Sequence, residues 1–365
     1  MKKKVLVGMS GGVDSSVAAS LLLEQGYDVS GVTLHLYNNE DAGIAAARTC
    51  CSLADVEDAR SVARRLGIEH YVFNFGSEFR KNVIGRFTDG YARGDTPNPC
   101  IDCNRFIKFG KMLERAKLLG FDFIATGHYA RSEYDGASGR WLLEKAADIS
   151  KDQTYVLYSL TQDELAHTLF PLGGLTKPEV RKLAEERGFI NARKPDSEDI
   201  CFVPDGNYAS FLENVMGLRQ KPGDFVDTAG NVLGRHKGLI HYTIGQRKGL
   251  GLSFESPKYV IRKDAAANTV VLGENSELFS SRFEVGDVNL IAADRLTEPV
   301  EAGVKVRYSQ SEAAATLVPL RDGTAIEVRF CEPQRAVTPG QAAVFYCGST
   351  VFGGGTILPS KTGKE

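Results

Sequence analysis

A Gly-rich turn between an apolar strand and a helix is the strongest constraint on the fold of this 365-residue chain. Residues 5–7 predict the strand, and residues 17–22 carry the apolar spacing of the helix. Between them lie Gly8, Met9, Ser10, Gly11, Gly12, Val13, Asp14 and Ser15. Glycines allow positive φ and a close approach to a ligand, and a helix N-terminus offers N–H groups to anions. The turn therefore predicts a phosphate site.

This turn is not a Walker A loop, because it lacks the Gly-x-x-x-x-Gly-Lys-Ser/Thr pattern. Its Ser-Gly-Gly-Val-Asp-Ser sequence instead resembles the pyrophosphate loop of the N-type ATP pyrophosphatases, which cleave ATP between the α and β phosphates. The alternative is a plain strand–helix turn with a serine cap. The length of the motif, placed directly after a strand, favours nucleotide binding.

Strands and helices alternate through the first two hundred residues. Strands are predicted over residues 29–36, 71–75 and 123–126, and helices over residues 53–66 and 104–119. This order predicts an α/β domain with a parallel sheet and helices on both faces. Ligands bind beyond the carboxyl ends of such strands, where Gly8, Leu34 and Gly127 are expected.

The second half of the chain differs in its pattern of predicted elements. A short helix is predicted over residues 208–215, and Gly- and Pro-rich turns then become frequent. Short β-rich runs recur from about residue 255 and predict a small β-barrel; they cover residues 259–262, 269–272, 304–308, 313–317, 325–330 and 342–346. We expect a catalytic domain over residues 1–205, a small central domain over 206–278 and a C-terminal β-barrel over 279–365.

Composition excludes several classes of protein. No apolar run approaches the ~20 residues of a membrane helix. The start, Met1-Lys2-Lys3-Lys4, leads into a strand rather than a signal sequence, so a cytoplasmic protein is expected. Seven cysteines without such a signal favour thiol chemistry or metal ligation over a disulfide framework. A net charge of −2 means that any nucleic-acid surface must be local.

A Cys-x-x-Cys pair, Cys100 and Cys103, follows Asn98 and Pro99. Such a pair predicts a redox couple or half of a metal site. Pro99 disfavours a helical Asn98, so the cysteines are expected on a loop that enters a helix, where the thiol pKa is lowered. Arg105 and Lys108 would lower it further. A zinc site is the weaker alternative, because no second Cys-x-x-Cys exists and Cys50 and Cys51 are adjacent.

The other cysteines carry less information. Cys201 lies between Ile200 and Phe202 and would, taken alone, be a buried and inert thiol. Cys331 and Cys347 lie in β-like runs, and we expect both in the core.

Two basic stretches predict contact with nucleic-acid phosphates. Residues 235–263 contain seven Lys or Arg against one acid, with Tyr242 and Tyr259 among them. Arg105, Lys108, Lys111 and Arg115 recur at helical spacing on one face. A solvated face is the alternative for both stretches, and contact with phosphates is favoured for each.

An ordered set of motifs identifies a family. These are the Gly8–Ser15 loop, Thr96-Pro97-Asn98-Pro99, Cys103-Asn104 with Ile107-Lys108-Phe109, Ala125-Thr126-Gly127-His128-Tyr129, Lys151-Asp152-Gln153, Ile200-Cys201-Phe202, Tyr242-Thr243-Ile244-Gly245-Gln246-Arg247-Lys248-Gly249-Leu250-Gly251 and Val306-Arg307-Tyr308. Together they resemble the bacterial tRNA-specific 2-thiouridylases, over nearly the whole chain.

The resemblance implies an enzyme that thiolates C2 of the wobble uridine (position 34) in tRNA, with ATP and Mg²⁺. It implies that Cys103 is the nucleophile, that Cys201 carries a persulfide, and that the two can form a disulfide. The ATP site would comprise Gly8, Met9, Ser10, Gly11, Gly12, Val13, Asp14, Ser15, Leu34 and Gly127. Asn98, Pro99 and Cys100 would approach the base, and tRNA would contact His128, Lys151, Asp152, Gln153, Arg307, Tyr308 and Gln341. The implied partners are Lys, Glu and Gln tRNAs and a sulfur donor, either a cysteine desulfurase or a sulfur-relay protein.

Cys100 is a departure, because well-known members of the family carry Asp at this position. Cys100, Cys103 and Cys201 could together hold a [4Fe–4S] cluster that delivers hydrosulfide. Of the two sulfur-delivery routes, the cysteine persulfide is favoured.

Two other classes of function compete with this interpretation. An amide-forming ligase of the ATP pyrophosphatase group would explain the Gly8–Ser15 loop but neither Cys103 nor Cys201. A redox-sensing RNA-binding protein would use ATP as an allosteric ligand and would release no pyrophosphate in response to tRNA.

Overall fold

A computed structural model describes residues 2–37, 53–196, 200–203 and 206–360 of the chain. The described part does not include Cys50 and Cys51, residues 197–199 shortly before Cys201, or the last five residues.

The strands, in chain order, are β1 (Lys4–Gly8), β2 (Asp28–His35), β3 (His70–Asn74), β4 (Phe123–Ala125), β5 (Arg131–Asp135), β6 (Arg140–Glu144), β7 (Thr168–Leu169), β8 (Gly223–Val226), β9 (Val232–His236), β10 (Tyr259–Asp264), β11 (Thr269–Gly273), β12 (Phe279–Leu290), β13 (Val300–Lys305), β14 (Ala313–Leu320), β15 (Ala325–Arg335), β16 (Ala342–Cys347) and β17 (Thr350–Ile357). The α-helices are α1 (Val13–Glu24), α2 (Leu53–Leu66), α3 (Gly76–Phe79), α4 (Arg86–Ala92), α5 (Pro99–Asp102), α6 (Met112–Leu118), α7 (Gln162–Ala166), α8 (Lys177–Glu186) and α9 (Tyr208–Ser210). Wider π-helical turns follow α3, α5 and α9, over Arg80–Gly85, Cys103–Lys111 and Phe211–Val215.

The first sheet is parallel and has the order β3-β2-β1-β4-β7 within the described residues. Strand β1 pairs with β2 on one side and with β4 on the other, so the chain changes direction across the sheet at β1. A parallel sheet binds ligands at such a switch point. The predicted α/β class is confirmed, and the missed strand β7 extends the sheet.

Helices cover both faces of this sheet, as predicted. Helices α1 and α8 pack on one face, where Val17, Leu22 and Val180 are fully or almost fully buried. The other face is covered by the long helical run that includes α5 and α6, whose Ile107 and Met112 are completely buried. The sequence predicted that this helix begins at residue 104, but Pro99 already occupies its first turn. Proline suits that position because it has no N–H to leave unbonded.

The second sheet has the order β10-β11-β8-β9 in the described part of the chain. It packs around the buried side chains of Phe225, Tyr242 and Val260. The predicted β-runs at 259–262 and 269–272 form this sheet rather than the C-terminal barrel.

The third sheet closes on itself. Its order runs β12-β15-β14-β13-β16-β17, and the added pairing of β12 with β17 joins the two ends into a barrel of six strands from the described residues. Val328, Phe345 and Ala315 fill its interior. The predicted C-terminal β-barrel is confirmed, whereas strands β12 and β17 were not predicted.

The hairpin β5–β6 was missed in the sequence and lies between two elements of the first sheet. Through Glu144 it pairs with Thr350 of β17 and so extends the barrel sheet. The barrel is thereby attached to the first two hundred residues by backbone pairing.

Cys331 and Cys347 are exposed, so their predicted core position is wrong. Their neighbours Phe330 and Tyr346 are buried instead. Side chains alternate between the two faces of a strand, so each cysteine points to the opposite face from its buried neighbour.

Among the described residues, no helix has the length and apolarity that crossing a membrane requires.

Candidate active site

The Gly8–Ser15 loop joins β1 to α1 and is held by its own hydroxyls. Ser15 Oγ accepts from Ser10 N at 3.3 Å and donates to the Gly12 carbonyl at 3.2 Å. Gly12 is extended and caps α1 with no side chain, so the first turn of α1 presents its N–H groups without an internal cap. This is the geometry of an anion site.

Two glycines fit the loop into its surroundings. Gly11 has φ of +75°, and a Cβ there would lie 2.4 Å from the Asp55 carbonyl oxygen. At Gly127 a Cβ would lie 2.7 Å from Ser15 N. The backbone after β4 therefore runs directly against the start of α1, and any side chain at 127 would push the two apart.

The ATP-site residues predicted on three different strands meet at one sheet edge. Gly8 pairs with Val32 on β2, and Val7 pairs with Ala125 on β4. Leu34 and Gly127 each follow those partners by two residues. The structure thus brings Leu34, Gly127 and the loop together beside the switch point.

Asp14 is held by residues that the sequence analysis did not single out. Lys177 Nζ donates to its two carboxylate oxygens at 2.7 and 2.8 Å, and Tyr129 Oη donates at 2.9 Å. Lys177 is buried at the start of α8, with 8% of its surface exposed. The helix start itself carries a sequence signal, the capping box of Thr176 and Glu179. The pairing with Asp14 depends on the tertiary fold and has no local signal.

Asn191 and Lys194 support the same loop from the far side. Asn191 Nδ2 donates to the Gly11 carbonyl at 3.0 Å and to Ser16 Oγ at 2.9 Å. Lys194 Nζ pairs with Asp55 at 2.6 Å and with Asp58 at 2.7 Å, and lies 3.4 Å from the Gly11 carbonyl. The segment after α8 is therefore fixed to the loop.

Asp196 extends this network towards Cys201. Its carboxylate lies 2.8 Å from the nitrogen of each of three cations, Lys151, Lys177 and Arg181. Burial raises the pKa of the Asp196 carboxyl, but hydrogen bonds and charge from Lys151 and Lys177 outweigh it and lower the pKa to about 2. Asp196 thus stays ionised and connects the Asp14–Lys177 pair to the segment that leads to Cys201.

The Cys-x-x-Cys pair lies on the first turns of a helix. Asn98 caps α5, and its side-chain oxygen accepts from Cys100 N at 3.0 Å. Cys100 is exposed, whereas Cys103 is 8% exposed. The two thiols therefore differ in access, although they are three residues apart.

Cys201 packs against the same apolar cluster that contains Cys103. Tyr37 Oη donates to the Cys201 carbonyl at 2.5 Å, and the next residue, Phe202, packs edge-on against Phe79 and Phe87. Cys201 is half-buried, less enclosed than a lone thiol between two large apolar residues was expected to be. Cys103 and Cys201, about a hundred residues apart in sequence, thus border one cluster.

The residues expected to contact tRNA make several internal contacts. His128 is buried, and its Nδ1 lies 2.8 Å from Thr126 Oγ1; burial and then the charge of Lys108 lower its pKa well below the usual range. Gln153 Oε1 accepts from Tyr129 N at 2.9 Å. Gln341 Nε2 donates to the Thr96 carbonyl at 2.6 Å.

Two further residues of that set, Arg307 and Tyr308, lie between the domains. Arg307 donates to the Ala336 carbonyl at 2.9 Å. Tyr308 is 45% exposed, and its hydroxyl lies 3.4 Å from the Asp152 carbonyl. Burial raises the pKa of Tyr308, and the charges of Asp152 and Cys100 raise it further while Lys151 opposes them. Tyr308, Asp152 and Lys151 therefore form an accessible group near Cys100.

Some of the expected basic surface is used internally. Arg235 pairs with Asp224 at 2.9 Å, Lys258 pairs with Glu274 at 2.6 Å, and Lys263 lies over the Tyr91 ring. Exposed cations of this stretch are Lys237, Arg247, Lys248 and Arg262. On the helix that follows the Cys-x-x-Cys pair, Arg105 binds Asp287, Lys111 binds Glu114, and Arg115 lies over Phe73.

Within the described ranges, no three His, Cys, Asp or Glu side chains gather closely enough to hold a metal ion. Cys100, Cys103 and Cys201 all belong to those ranges, and in this geometry they do not form a site for a single metal ion.

Comparison with known proteins covers almost the entire chain. Residues 3–205 match a model described as a tRNA methyl transferase HUP domain, residues 209–274 a tRNA methyl transferase PRC-barrel domain, and residues 280–357 an aminomethyltransferase β-barrel domain.

Several relatives match this chain over nearly their full length. A tRNA-specific 2-thiouridylase MnmA of Acetivibrio thermocellus is 54% identical over 357 residues, which cover 98% of this chain and 99% of that protein. Its counterpart in Heliobacterium modesticaldum is 53% identical over 359 residues, covering 98% of this chain and 93% of that protein. Among solved structures, a 4-thiouridine synthetase–RNA complex with bound ATP superposes at a TM-score of 0.37 with 19% identity, over 59% of this chain and 50% of that chain.

Proposed function

This chain belongs to the family of tRNA-specific 2-thiouridylases, and we propose that it replaces the C2 oxygen of the wobble uridine (position 34) with sulfur, using ATP. One observation carries the proposal: a single parallel-sheet domain holds the Gly8–Ser15 anion loop and the Cys100–Cys103 turn, with Cys201 against the cluster of Cys103. This combination favours sulfur transfer over the methyl transfer in the names of the domain models.

The first step activates a poor leaving group. The C2 oxygen of uridine attacks the α-phosphate of ATP, the bond to the β-phosphate breaks, and pyrophosphate leaves. Ser10, Ser15 and the N–H groups of the loop hold that pyrophosphate, with Leu34 and Gly127 beside the nucleotide.

Asp14 orients the loop through Lys177, and because Asp14 belongs to that loop we place the Lys177 ammonium beside the phosphates. Mg²⁺ prefers oxygen ligands and keeps much of its water. Because both oxygens of Asp14 accept from Lys177, Asp14 would serve to orient the loop more than to ligate Mg²⁺, and a bound Mg²⁺ would lower the charge of the leaving pyrophosphate.

The second step transfers sulfur. The terminal sulfur of a Cys201 persulfide attacks C2, the C2–O bond breaks, and AMP leaves. The Cys103 thiolate then attacks the Cys201 sulfur and breaks the S–S bond, which leaves 2-thiouridine and a Cys103–Cys201 disulfide. A dithiol reductant then reopens the disulfide. Formation of the disulfide requires the Cα atoms of Cys103 and Cys201 to lie about 4.4–6.8 Å apart. We favour this route over hydrosulfide delivery from a [4Fe–4S] cluster, because it needs only Cys103 and Cys201, which border one apolar cluster.

The tRNA meets the protein around the Cys-x-x-Cys turn. The target base leaves the anticodon stack to reach Cys103, beside Asn98, Pro99 and Cys100. The accessible part of the tRNA-binding surface consists of Lys151, Asp152 and Tyr308. Beneath it lie four residues that support it through contacts inside the protein: His128, Gln153, Arg307 and Gln341. The exposed cations of residues 235–263 contact phosphates.

Partners and domains complete the proposal. The substrates are Lys, Glu and Gln tRNAs, and the sulfur comes from a cysteine desulfurase or a relay protein. The division into residues 1–205, 206–278 and 279–365 assigns catalysis to the first part and tRNA contact to the two β-rich parts.

The test is 2-thiouridine formation on unmodified tRNA with ATP, Mg²⁺ and a persulfide-loaded donor. The protein is first stripped of iron and checked for folding, and the digested nucleosides are weighed by mass spectrometry. Product under these conditions supports thiolation by the persulfide route. Activity only after reconstitution with iron and sulfide would overturn that route, and no product in either case, with no tRNA-dependent pyrophosphate, would overturn thiolation itself.

A further inference from the structure

The C-terminal barrel contacts the chain on both sides of the Cys-x-x-Cys turn. Before the turn, Thr96 N donates to the Pro339 carbonyl at 3.0 Å, and Gln341 Nε2 donates to the Thr96 carbonyl at 2.6 Å. After the turn, the Arg105 guanidinium binds both carboxylate oxygens of Asp287, at 2.6 and 3.4 Å. The barrel therefore holds the turn at two points, one of which is an ion pair across 182 residues of sequence.

Asp287 has an uncommon backbone conformation. Its φ is +48°, which L-residues other than Asn and Asp rarely adopt. It interrupts β12 between Gly286 and Asn289, where the pairing with β17 shifts register. Asn289 fixes the far end of this bulge by donating to the Tyr158 and Leu160 carbonyls at 2.7 and 3.0 Å. Bulges of this kind re-aim a side chain, and here the bulge carries the carboxylate that meets Arg105.

The ion pair borders open space rather than packed side chains. A cleft of about 220 Å³ lies between the barrel and the turn, lined in part by Asn98, Asp102, Arg105 and Asp287. At the edge of this cleft, the contact between the helix after the turn and the barrel is the charged pair of Arg105 and Asp287.

A second carboxylate competes for Arg105. Asp102 lies between Cys100 and Cys103 and pairs with Arg86 at 3.1 Å. Burial raises the pKa of Asp102, while the charges of Arg86 and Arg105 lower it and that of Asp287 raises it. Without the Asp287 charge, Arg105 would be drawn to Asp102, three residues earlier on the same helix. The helix that follows the Cys-x-x-Cys turn would then lose its charged contact with the barrel.

We propose that Asp287 is a positioning residue for sulfur transfer: it holds Arg105 away from Asp102 and so fixes Cys103 relative to Cys201 and the target base. This inference rests on the proposed thiolation. Asp287 acts through Arg105 and touches neither substrate.

Asp287→Asn tests the proposal with little change in backbone, because Asn also tolerates positive φ. Asp294→Asn is the matched control, since Asp294 pairs with Arg140 across the same two parts of the chain but far from the cysteines. For each variant, the rates of pyrophosphate release and of 2-thiouridine formation are measured in a single turnover with enzyme in excess over tRNA, and the ratio of the second rate to the first is compared.

We expect Asp287→Asn to lower this ratio roughly 10- to 100-fold, the scale of a small misplacement of reacting groups, with pyrophosphate release largely retained. Asp294→Asn leaves the ratio unchanged. Arg105→Gln reproduces the loss, and the double variant loses no more than either single one. Two outcomes would overturn the proposal: a proportional loss of both rates in Asp287→Asn, or the same loss in Asp294→Asn. Either would mean that the Arg105–Asp287 pair only docks the barrel onto the rest of the chain.

A second readout does not depend on activity. The alkylation rates of Cys103 and Cys347 by iodoacetamide are compared by peptide mass spectrometry. A Cys103 rate that rises relative to Cys347 in Asp287→Asn supports the holding of Cys103 by Asp287, and it does so separately from whether the wild-type chain forms 2-thiouridine. An unchanged ratio of rates overturns it whatever the outcome for thiolation.

Discussion

Lys177 Nζ donates to both carboxylate oxygens of Asp14, which lies 163 residues earlier in the chain. The same ammonium lies 2.8 Å from Asp196. One buried cation thus joins the anion loop to the segment that carries Cys201. Under the proposed function, the phosphates of ATP would meet the same charge that holds the segment leading to Cys201, so adenylation and sulfur delivery would share this residue.

Lys177→Met should raise the KM for ATP roughly tenfold or more, because a charge-assisted hydrogen bond contributes about 1.5–3 kcal/mol. The measurement is tRNA-dependent pyrophosphate release against ATP concentration. Lys182→Met, on the same helix but with 76% of its side chain exposed, is the control and should leave the KM unchanged. An unaltered KM in Lys177→Met would remove Lys177 from the nucleotide site.

The sequence predicted the elements whose signals are local. The Gly8–Ser15 loop, strands β1 to β4 and the barrel class follow from apolar periodicity and turn residues. Lys177, Asp196 and Asp287 were missed because their partners lie far away in sequence. Cys331 and Cys347 were misplaced because periodicity gives the alternation of a strand but not which face is buried.

Cys103→Ser and Cys201→Ser should each lower 2-thiouridine formation by at least roughly 100-fold while the pyrophosphate released in the first turnover is retained, since adenylation needs neither thiol. Cys100→Ser should keep most of the product. The controls are Cys331→Ser and Cys347→Ser, whose thiols are exposed on the barrel. A loss in Cys100→Ser as deep as in Cys103→Ser would contradict the two-thiol route.

Lys263 should make stability depend on pH. Burial lowers its pKa to about 8, although the charge of Asp95 opposes this. An unfolded lysine titrates near pH ~10.4, so between these values the unfolded state binds more protons, and the free energy of unfolding rises with pH. Below about pH 8, Lys263 is protonated in both the folded and the unfolded state, and the buried charge then lowers the free energy of unfolding by its full amount.

Lys263→Met removes this dependence. Its melting temperature relative to wild type should be highest near pH 7 and should fall by roughly 2–6 °C towards pH ~10. Lys248→Met, at an exposed lysine of the same basic stretch, should show a difference that does not vary with pH. A constant difference for Lys263→Met as well would mean that Lys263 titrates normally.

Gly340→Ala should destabilise the contact between the barrel and the segment before the cysteines. Gly340 has φ of +85°, and a Cβ there would lie 2.7 Å from Asp95 Cβ and 2.9 Å from Thr96 N. Gly348 also has positive φ, +65°, but no heavy atom lies within 4 Å of its Cβ position. Gly348→Ala therefore measures only the free energy needed to hold an alanine at positive φ, about 1–2 kcal/mol.

The excess loss in Gly340→Ala over Gly348→Ala then measures the steric clash, about 1–3 kcal/mol for overpacking. Thermal unfolding gives the stabilities of both variants. Because Thr96 precedes Asn98 by two residues, the clash should also displace the cap of α5, so 2-thiouridine formation should fall in Gly340→Ala and not in Gly348→Ala. Equal stabilities and equal activities would mean that the barrel yields at this point and does not hold the turn from the Thr96 side.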